Sequence, residues 1–100
     1  MRYFPQNRKA KQATLAEQVS KVIEEFGEVI DAVMKGNRVG AAEECFDLIQ
    51  ATEGLLDKIM PDESERSLTR MLTEGKCYSR GDYDSQTWED WSSEMEAMND

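Results

Sequence analysis

Apolar residues recur at intervals of three and four over one long stretch of the chain, which is the spacing of one face of an α-helix. Thr14 and Glu17 stand just before and just inside this stretch and form a capping-box pattern that predicts where the helix begins. Gly36 and Asn37 follow the stretch and predict its end. The pattern therefore predicts an α-helix for this part of the chain. Its apolar positions are Leu15, Val19, Val22, Ile23, Phe26, Val29, Ile30 and Val33.

The remainder of the chain predicts three more helices and no strand. Pro61 ends the second helix, because the residue before a proline is displaced from helical geometry. Residues 1–13 are expected to be an irregular basic arm, because Pro5 blocks a regular start. The fold class is therefore all-α, in one domain. The further helices are predicted near residues 39–60, near residues 62–80, and in a short terminal helix with an apolar stripe of Trp88, Trp91, Met95 and Met98.

The chain contains no histidine among its 100 residues, and this excludes several kinds of chemistry. Ser-His-Asp and Cys-His catalysis and histidine-ligated zinc are all ruled out within the chain. Hydrolysis would have to use carboxylates, lysine, arginine, tyrosine and hard metal ions.

The formal net charge of −9 makes duplex DNA and anionic membranes unsuitable partners. No apolar run is long enough for a membrane span, and the N-terminus has no signal-peptide core. Cys45 and Cys77 form no spacing motif. We therefore expect a soluble cytoplasmic protein with free thiols and no partner among nucleic acids or membranes.

Carboxylates occur in two similar segments on the first two predicted helices. Glu25 and Glu28 are separated by three residues, as are Glu44 and Asp47, so each pair lies on one helical face. Like charges at this spacing weaken a helix by a few tenths of a kcal/mol. A short link makes the two helices antiparallel neighbours, which allows the pairs to face each other.

The direction in which these carboxylates point decides their interpretation. The apolar stripe of the first helix is centred on Phe26, and Glu25 lies at its margin. Glu44 projects from a largely apolar flank of the second helix, where an unpaired carboxylate is costly. A hard divalent cation, Mg²⁺ or Mn²⁺, resolves both the cost and the repulsion. The residues assigned instead to the solvent face of the second helix are Glu43, Gln50, Glu53 and Asp57.

The two motifs, EExxE at residues 24–28 and ExxD at residues 44–47, resemble those of the MazG-like all-α nucleoside triphosphate pyrophosphatases. The resemblance covers about residues 14–83. A second match follows, because Lys76, Arg80 and Tyr83 fit the K-x-x-x-R-G-x-Y segment of small MazG-like proteins. Lys76 and Arg80 share one helical face, a spacing that suits a polyphosphate, although basic residues at a helix C-terminus also complement the helix dipole.

The resemblance implies a fold, a reaction and a set of residues. It implies Mg²⁺-dependent hydrolysis of a nucleoside triphosphate to the monophosphate and pyrophosphate, in a helical catalytic domain over residues 14–83, followed by an acidic tail over residues 84–100. The implied metal ligands are Glu25, Glu28, Glu44 and Asp47. Either the metal or Glu24 would activate the water, and Lys76, Arg80 and Tyr83 would bind the phosphates.

Two alternatives stay open beside this interpretation. One keeps the fold and the chemistry with a specialised substrate, namely dUTP, dCTP or phosphoribosyl-ATP. The other is a non-catalytic helical assembly or regulatory protein.

Assembly and the aromatic tail are also predicted from the sequence. The second helix has more apolar circumference, including Leu48, Leu55 and Ile59, than one chain can cover, which predicts a dimer or tetramer. Trp88 and Trp91 either stack on a base or pack a terminal helix onto a neighbouring subunit, and packing is the more frequent role of such a stripe.

Overall fold

The computed structural model describes residues 2–99, with side chains through Ala97, and this part of the chain folds into helices without a strand. The predicted all-α class is confirmed. None of the described helices is long and apolar enough to cross a lipid bilayer. The elements are α1 (Arg8–Gln12), α2 (Leu15–Met34), α3 (Arg38–Ile59), α4 (Glu63–Ser79) and α5 (Ser85–Asn99).

The ends of α2 form as predicted from local sequence. The Glu17 carboxylate accepts a hydrogen bond from the Thr14 backbone N–H at 2.8 Å, and the Thr14 hydroxyl accepts one from the Glu17 N–H at 3.1 Å. Gly36 follows the helix with a φ of 71°, a conformation that glycine adopts without strain. The Asn37 side chain then caps α3 by accepting from the Gly40 N–H at 3.0 Å. The predicted capping box and turn are confirmed.

The later boundaries also agree with the predictions. Helix α3 ends immediately before Met60 and Pro61, and the Asp62 carboxylate caps α4 by accepting from the Ser64 N–H at 2.8 Å. Gly75 does not interrupt α4, and Gly81 ends the turn after it with a φ of 79°. Helix α5 forms where the terminal helix is predicted, although the Met98 side chain lies outside the described residues.

The prediction of an irregular segment over residues 1–13 is wrong for its second half. Asn7 accepts a hydrogen bond from the Ala10 N–H at 3.1 Å and so caps a short helix, α1, which packs on α3. Residues 2–6 form no helix, which agrees with the presence of Pro5. The signal for α1 was present as an asparagine followed by five good helix formers.

The arm before α1 is held by two acidic residues of α3 that were predicted to face solvent. Arg2 donates two hydrogen bonds to the Asp57 carboxylate, at 2.6 and 2.9 Å, and only 14% of the Asp57 side chain is exposed. The Glu53 carboxylate accepts from the backbone N–H groups of Tyr3 and Phe4, the latter at 2.8 Å. The solvent assignment of Glu53 and Asp57 is therefore wrong, because the arm covers them.

Helices α2 and α3 pack through small and polar residues. The Gln18 side chain is buried and donates a hydrogen bond to the Ala51 carbonyl at 2.9 Å. Gly54 faces Ala10 of α1 and lets the two helices approach closely. Ala10 and Ala51 are the buried apolar residues of the part of the chain that the structure describes.

The apolar stripe of α2 points away from this interface. Phe26, at the centre of the stripe, is 55% exposed, and Ile23 is 66% exposed. The predicted uncovered surface on α3 is found at Ile59, whereas Leu48 and Leu55 are half-buried. The larger uncovered apolar surface is therefore on α2 rather than on α3.

The chain divides into two compact units, Met1–Arg66 and Ser67–Asp100, and the division falls within α4. In the second unit, the Trp88 ring packs on Tyr78 at 4.9 Å between centroids and stacks on Tyr83 at 5.6 Å. Trp88 is thus engaged within its own unit, whereas Trp91 is exposed.

Two helical glycines provide a test of the close approach between α1 and α3. A Cβ at Gly54 would lie 2.7 Å from the Ala10 Cβ and 3.0 Å from the Gln18 Nε2, whereas a Cβ at Gly75 meets nothing within 4 Å. We expect Gly54→Ala to lower the free energy of unfolding by about 1–2 kcal/mol, because overpacking outweighs the gain in helix propensity. Gly75→Ala should instead raise it by up to about 1 kcal/mol. Urea unfolding measures both variants. A free energy of unfolding that Gly54→Ala leaves unchanged or raises would contradict the close packing of α1 on α3.

Candidate active site

Three of the predicted carboxylates converge where α2 and α3 cross. One oxygen each from Glu25, Glu28 and Glu44 lies within 4.8 Å of the others. The pairing of Gln18 with Ala51, and of Glu25 with Glu44 further along, shows that the two helices run antiparallel. This arrangement brings the i, i+3 pair of α2 against the start of α3, as the sequence predicts. We call these three residues the glutamate cluster.

Burial decreases across the glutamate cluster from one side to the other. Glu25 is only 5% exposed, Glu44 is half-buried and Glu28 is exposed. The Lys21 ammonium lies 2.8 Å from the Glu25 Oε1 and satisfies that oxygen. The other oxygen, Glu25 Oε2, and the Glu44 Oε2 are buried without a hydrogen-bond partner among the described residues. Glu25 and Glu44 therefore each bury one oxygen that lacks a protein donor, and a buried polar atom of this kind calls for a partner.

The proximity of the carboxylates changes how they bind protons. A hydrogen bond from Lys21 lowers the pKa of Glu25. Hydrogen bonding to Glu25 and then to Glu44 raises the pKa of Glu28 to about 7, because the cluster shares a proton rather than holding three adjacent charges. Near neutral pH Glu28 is thus partly protonated.

The donor set fits a hard divalent metal ion. The three residues offer carboxylate oxygens, which Mg²⁺ and Mn²⁺ prefer, and Glu25 and Glu44 each have one buried oxygen without a hydrogen-bond partner among the described residues. Asp47, the fourth predicted ligand, is exposed on α3 one turn after Glu44 and is not part of the three-residue cluster. Glu24 is also exposed, with its carboxylate 3.5 Å from the Lys21 ammonium.

A groove adjoins the glutamate cluster on the side of α1. It has a volume of about 520 Å³ and is bounded by α1, α2 and α3. We call it the α1 groove. Sequence reasoning did not predict it, because one of its walls is the helix that was expected to be irregular. Its lining residues include Asn7, Lys9, Lys21, Glu25, Asp47 and Gln50.

Lys76, Arg80 and Tyr83 belong to the second unit. The Arg80 guanidinium is paired with the Asp82 carboxylate at 2.9 Å and donates a hydrogen bond to the Cys77 Sγ at 3.1 Å. This pairing with Asp82 raises the pKa of Arg80. Lys76 is exposed in the last turn of α4, and Tyr83 is half-buried in the stack with Trp88.

A comparison of the sequence with protein families identifies the family of the chain. The model of the family described as phosphoribosyl-ATP pyrophosphohydrolase matches residues 2–70, which include both carboxylate motifs. The chain belongs to this family. It is therefore a hydrolase that acts on phosphoric anhydride bonds, and the non-catalytic alternative is wrong.

The family also refines the resemblance seen in the sequence. Phosphoribosyl-ATP pyrophosphohydrolases lie within the MazG-like all-α pyrophosphatase superfamily, so the superfamily was identified correctly, but the exact family is not MazG. The match ends before Lys76 and therefore does not include the K-x-x-x-R-G-x-Y segment. No curated protein and no solved structure matches the chain significantly.

The shared proton of the glutamate cluster predicts a pH dependence of stability. The folded protein without metal holds the Glu28 proton with a pKa of about 7, above the ordinary value of 4.5, so the folded state binds more protons than the unfolded state between these values. Its free energy of unfolding should therefore decrease as pH rises from about 4.5 to about 7.

Thermal unfolding in EDTA at pH 5 and pH 7.5 measures this effect. We expect the wild-type Tm to fall more over this interval than that of Glu28→Gln, which has no proton to lose. Mg²⁺ at pH 7.5 should raise the wild-type Tm, because the cation replaces the proton. Identical pH profiles for the two proteins would show that Glu28 does not share the proton.

Proposed function

We propose that this protein is a Mg²⁺-dependent nucleotide pyrophosphohydrolase that cleaves the bond between the α- and β-phosphates. The observation that carries this proposal is the glutamate cluster, in which three carboxylates converge and two of them bury an oxygen without a hydrogen-bond partner among the described residues. Such a site needs a cation, and a cation held by carboxylates beside an open groove is suited to polyphosphate chemistry.

The chain's residues take separate roles in the proposed reaction. Glu25, Glu28, Glu44 and Asp47 would hold Mg²⁺ or Mn²⁺. When bound, the ion neutralises the charge of the triphosphate, which carboxylates alone would repel. Lys21 favours the ionised form of Glu25, because its hydrogen bond lowers the pKa of that carboxyl.

Glu24 is the general base of the proposed mechanism. Its carboxylate is exposed, one residue from the cluster, and takes a proton from the attacking water. The water oxygen bonds to the α-phosphorus, the bond from that phosphorus to the α–β bridging oxygen breaks, and pyrophosphate leaves. The products are a nucleoside monophosphate and pyrophosphate.

Lys76, Arg80 and Tyr83 are proposed to bind the phosphates of the substrate and of the leaving pyrophosphate. Lys76 and Arg80 are separated by one helical turn, and a pair of cations at this spacing stabilises the developing charge of a leaving group. Arg80 would exchange the Asp82 carboxylate for a phosphate, which is a stronger bidentate acceptor.

The family description selects the first substrate to test. We propose phosphoribosyl-ATP, which was one of the specialised substrates considered from the sequence, ahead of dUTP, dCTP and the common nucleoside triphosphates. A panel of these nucleotides with Mg²⁺, scored by pyrophosphate release and by the nucleotide product, tests the choice. We also propose a cytoplasmic location, where free thiols such as those of Cys45 and Cys77 persist.

Glu44→Gln tests the assignment of the glutamate cluster, with Glu43→Gln as its control. Glu44 has a buried oxygen in the cluster, whereas the neighbouring Glu43 is exposed. We expect Glu44→Gln to abolish Mg²⁺-dependent turnover and to leave the Tm in EDTA unchanged or higher, because one charge leaves a repelling group.

Glu43→Gln makes the same chemical change on the solvent side and should retain wild-type kcat and KM. Pyrophosphate release and thermal unfolding measure the two variants side by side. Turnover by Glu44→Gln at the wild-type rate would contradict the assignment of the glutamate cluster to the active site.

We further propose that two or more chains associate through the apolar stripe of α2. Large apolar side chains exposed in a row on one helix are typical of an interface, and the described residues of the chain leave this row uncovered. The row begins near α1 and passes Glu25 and Glu28 on the same helix, so the association would lie close to the glutamate cluster. Its members include Val19, Ile23, Phe26, Ile30 and Val33.

Ile23→Lys tests this association, with Val39→Lys as a control outside the row. Both side chains are exposed, at 66% and 69%, so neither substitution disturbs the interior of one chain. Light scattering should give at least twice the 11.5 kDa mass of one chain for the wild type and for Val39→Lys. Ile23→Lys should approach the mass of one chain with unchanged helical content. A wild-type protein with the mass of one chain at micromolar concentration would contradict the proposal.

A further inference from the structure

The α1 groove contains polar groups that the proposed mechanism leaves unused. Lys9 extends from α1 and makes no ion pair among the described side chains, although it lines the groove together with Lys21. Gln50 of α3 is half-buried in the same groove, and its amide has no hydrogen bond to the described residues. Gln50 was predicted to face open solvent, and instead it faces this groove.

The acidic residues of the groove are already occupied or belong to the metal end. The Glu17 carboxylate accepts the hydrogen bond of the Thr14 N–H, and Glu25 is paired with Lys21. Along α2, the groove extends from Glu25 back to Glu17, eight residues or about 12 Å. The groove therefore reaches the glutamate cluster at Glu25, and Lys9 of α1 borders the same space.

The groove also has the size of a ligand site. Its volume of about 520 Å³ lies within the usual range for small-molecule pockets. Its apolar walls are alanines, which leave the space open, while donors from α1 and α3 face into it. A nucleotide with its reacting phosphates at the glutamate cluster would extend into this space.

We propose that Lys9 and Gln50 bind a phosphate group of the substrate in the α1 groove. The inference rests on the proposed function, because the groove opens beside the proposed catalytic carboxylates. An unpaired ammonium and an unpaired amide are donors without acceptors, and a phosphate oxygen accepts strong charge-assisted hydrogen bonds. Phosphoribosyl-ATP offers two sources of such a group, its triphosphate and the phosphate of its phosphoribosyl arm, whereas ATP offers only the triphosphate.

Lys9→Ala and Lys11→Ala form a matched pair for testing this proposal. Both remove one lysine from α1, and alanine preserves the helix. Lys9 lines the α1 groove, whereas Lys11 lines a separate cavity of about 350 Å³ together with Gly54 and Asp57. Kinetics with Mg²⁺ are measured on phosphoribosyl-ATP and on ATP, and thermal unfolding verifies that both variants fold.

We expect Lys9→Ala to raise KM about tenfold with kcat nearly unchanged, because a contact to a non-reacting group binds ground state and transition state alike. Lys11→Ala should retain the wild-type KM. Gln50→Glu, which puts a negative charge into the groove, should raise KM further. A rise confined to phosphoribosyl-ATP assigns the bound phosphate to the phosphoribosyl arm, and a rise on both substrates assigns it to the triphosphate.

Equal KM values for Lys9→Ala, Lys11→Ala and the wild type on both substrates would overturn the proposal. A wild-type protein that releases pyrophosphate from neither nucleotide would instead overturn the proposed function. In that case ATP with Mg²⁺ is not consumed, so its dissociation constant can be titrated calorimetrically. Binding weakened by Lys9→Ala and not by Lys11→Ala would then support the phosphate site, and equal binding would overturn it.

Discussion

The rest of this structure depends on one buried carboxylate, that of Glu25, where the antiparallel helices α2 and α3 cross. Glu25 occupies the kind of position that an apolar side chain fills in most helix pairs, with Lys21 on one of its oxygens and the other oxygen buried without a partner among the described residues. Burying a charge in this way costs stability unless it is compensated. Lys21, four residues before Glu25, supplies part of the compensation. In the proposed function, a cation would supply the rest at the unpartnered oxygens of Glu25 and Glu44. The proposed metal site therefore lies at a helix interface that is unfavourable by itself.

This arrangement explains why the interior of the helical pair is small. With Gln18 and Glu25 directed at α3, the large apolar residues of α2 lie on the opposite side, where Phe26 and Ile23 are exposed. Small residues such as Ala51 and Gly54 let the helices approach, and polar contacts hold them in register. The proposed metal-binding residues Glu25 and Glu28 and the uncovered apolar row lie on two faces of the same helix, α2.

Local features were predicted well from the sequence, and long-range ones were not. The capping box at Thr14 and the break at Pro61 depend on neighbours within a few residues, and the carboxylate pairs depend only on helical spacing. The uncovered apolar surface was predicted on α3 and is larger on α2, because hydrophobic periodicity points to the largest apolar surface and cannot tell whether that surface meets the same chain. Asp57 was misassigned to solvent because its partner, Arg2, is 55 residues away in sequence. The α1 groove was not predicted, because α1, which forms one of its walls, was expected to be irregular.

Asp57 has one further consequence for how this chain is organised. Its carboxylate accepts from Arg2 at 2.6 Å and lies 3.2 Å from the Arg66 guanidinium, and Arg66 also donates to the Met60 carbonyl at 2.8 Å. One acidic side chain of α3 thus contacts residues near both sequence ends of the first unit, Arg2 near its start and Arg66 at its end. Loss of this one carboxylate would therefore free the segment before α1 and the start of α4 together, and would leave the half-buried guanidinium groups of Arg2 and Arg66 without this acidic partner.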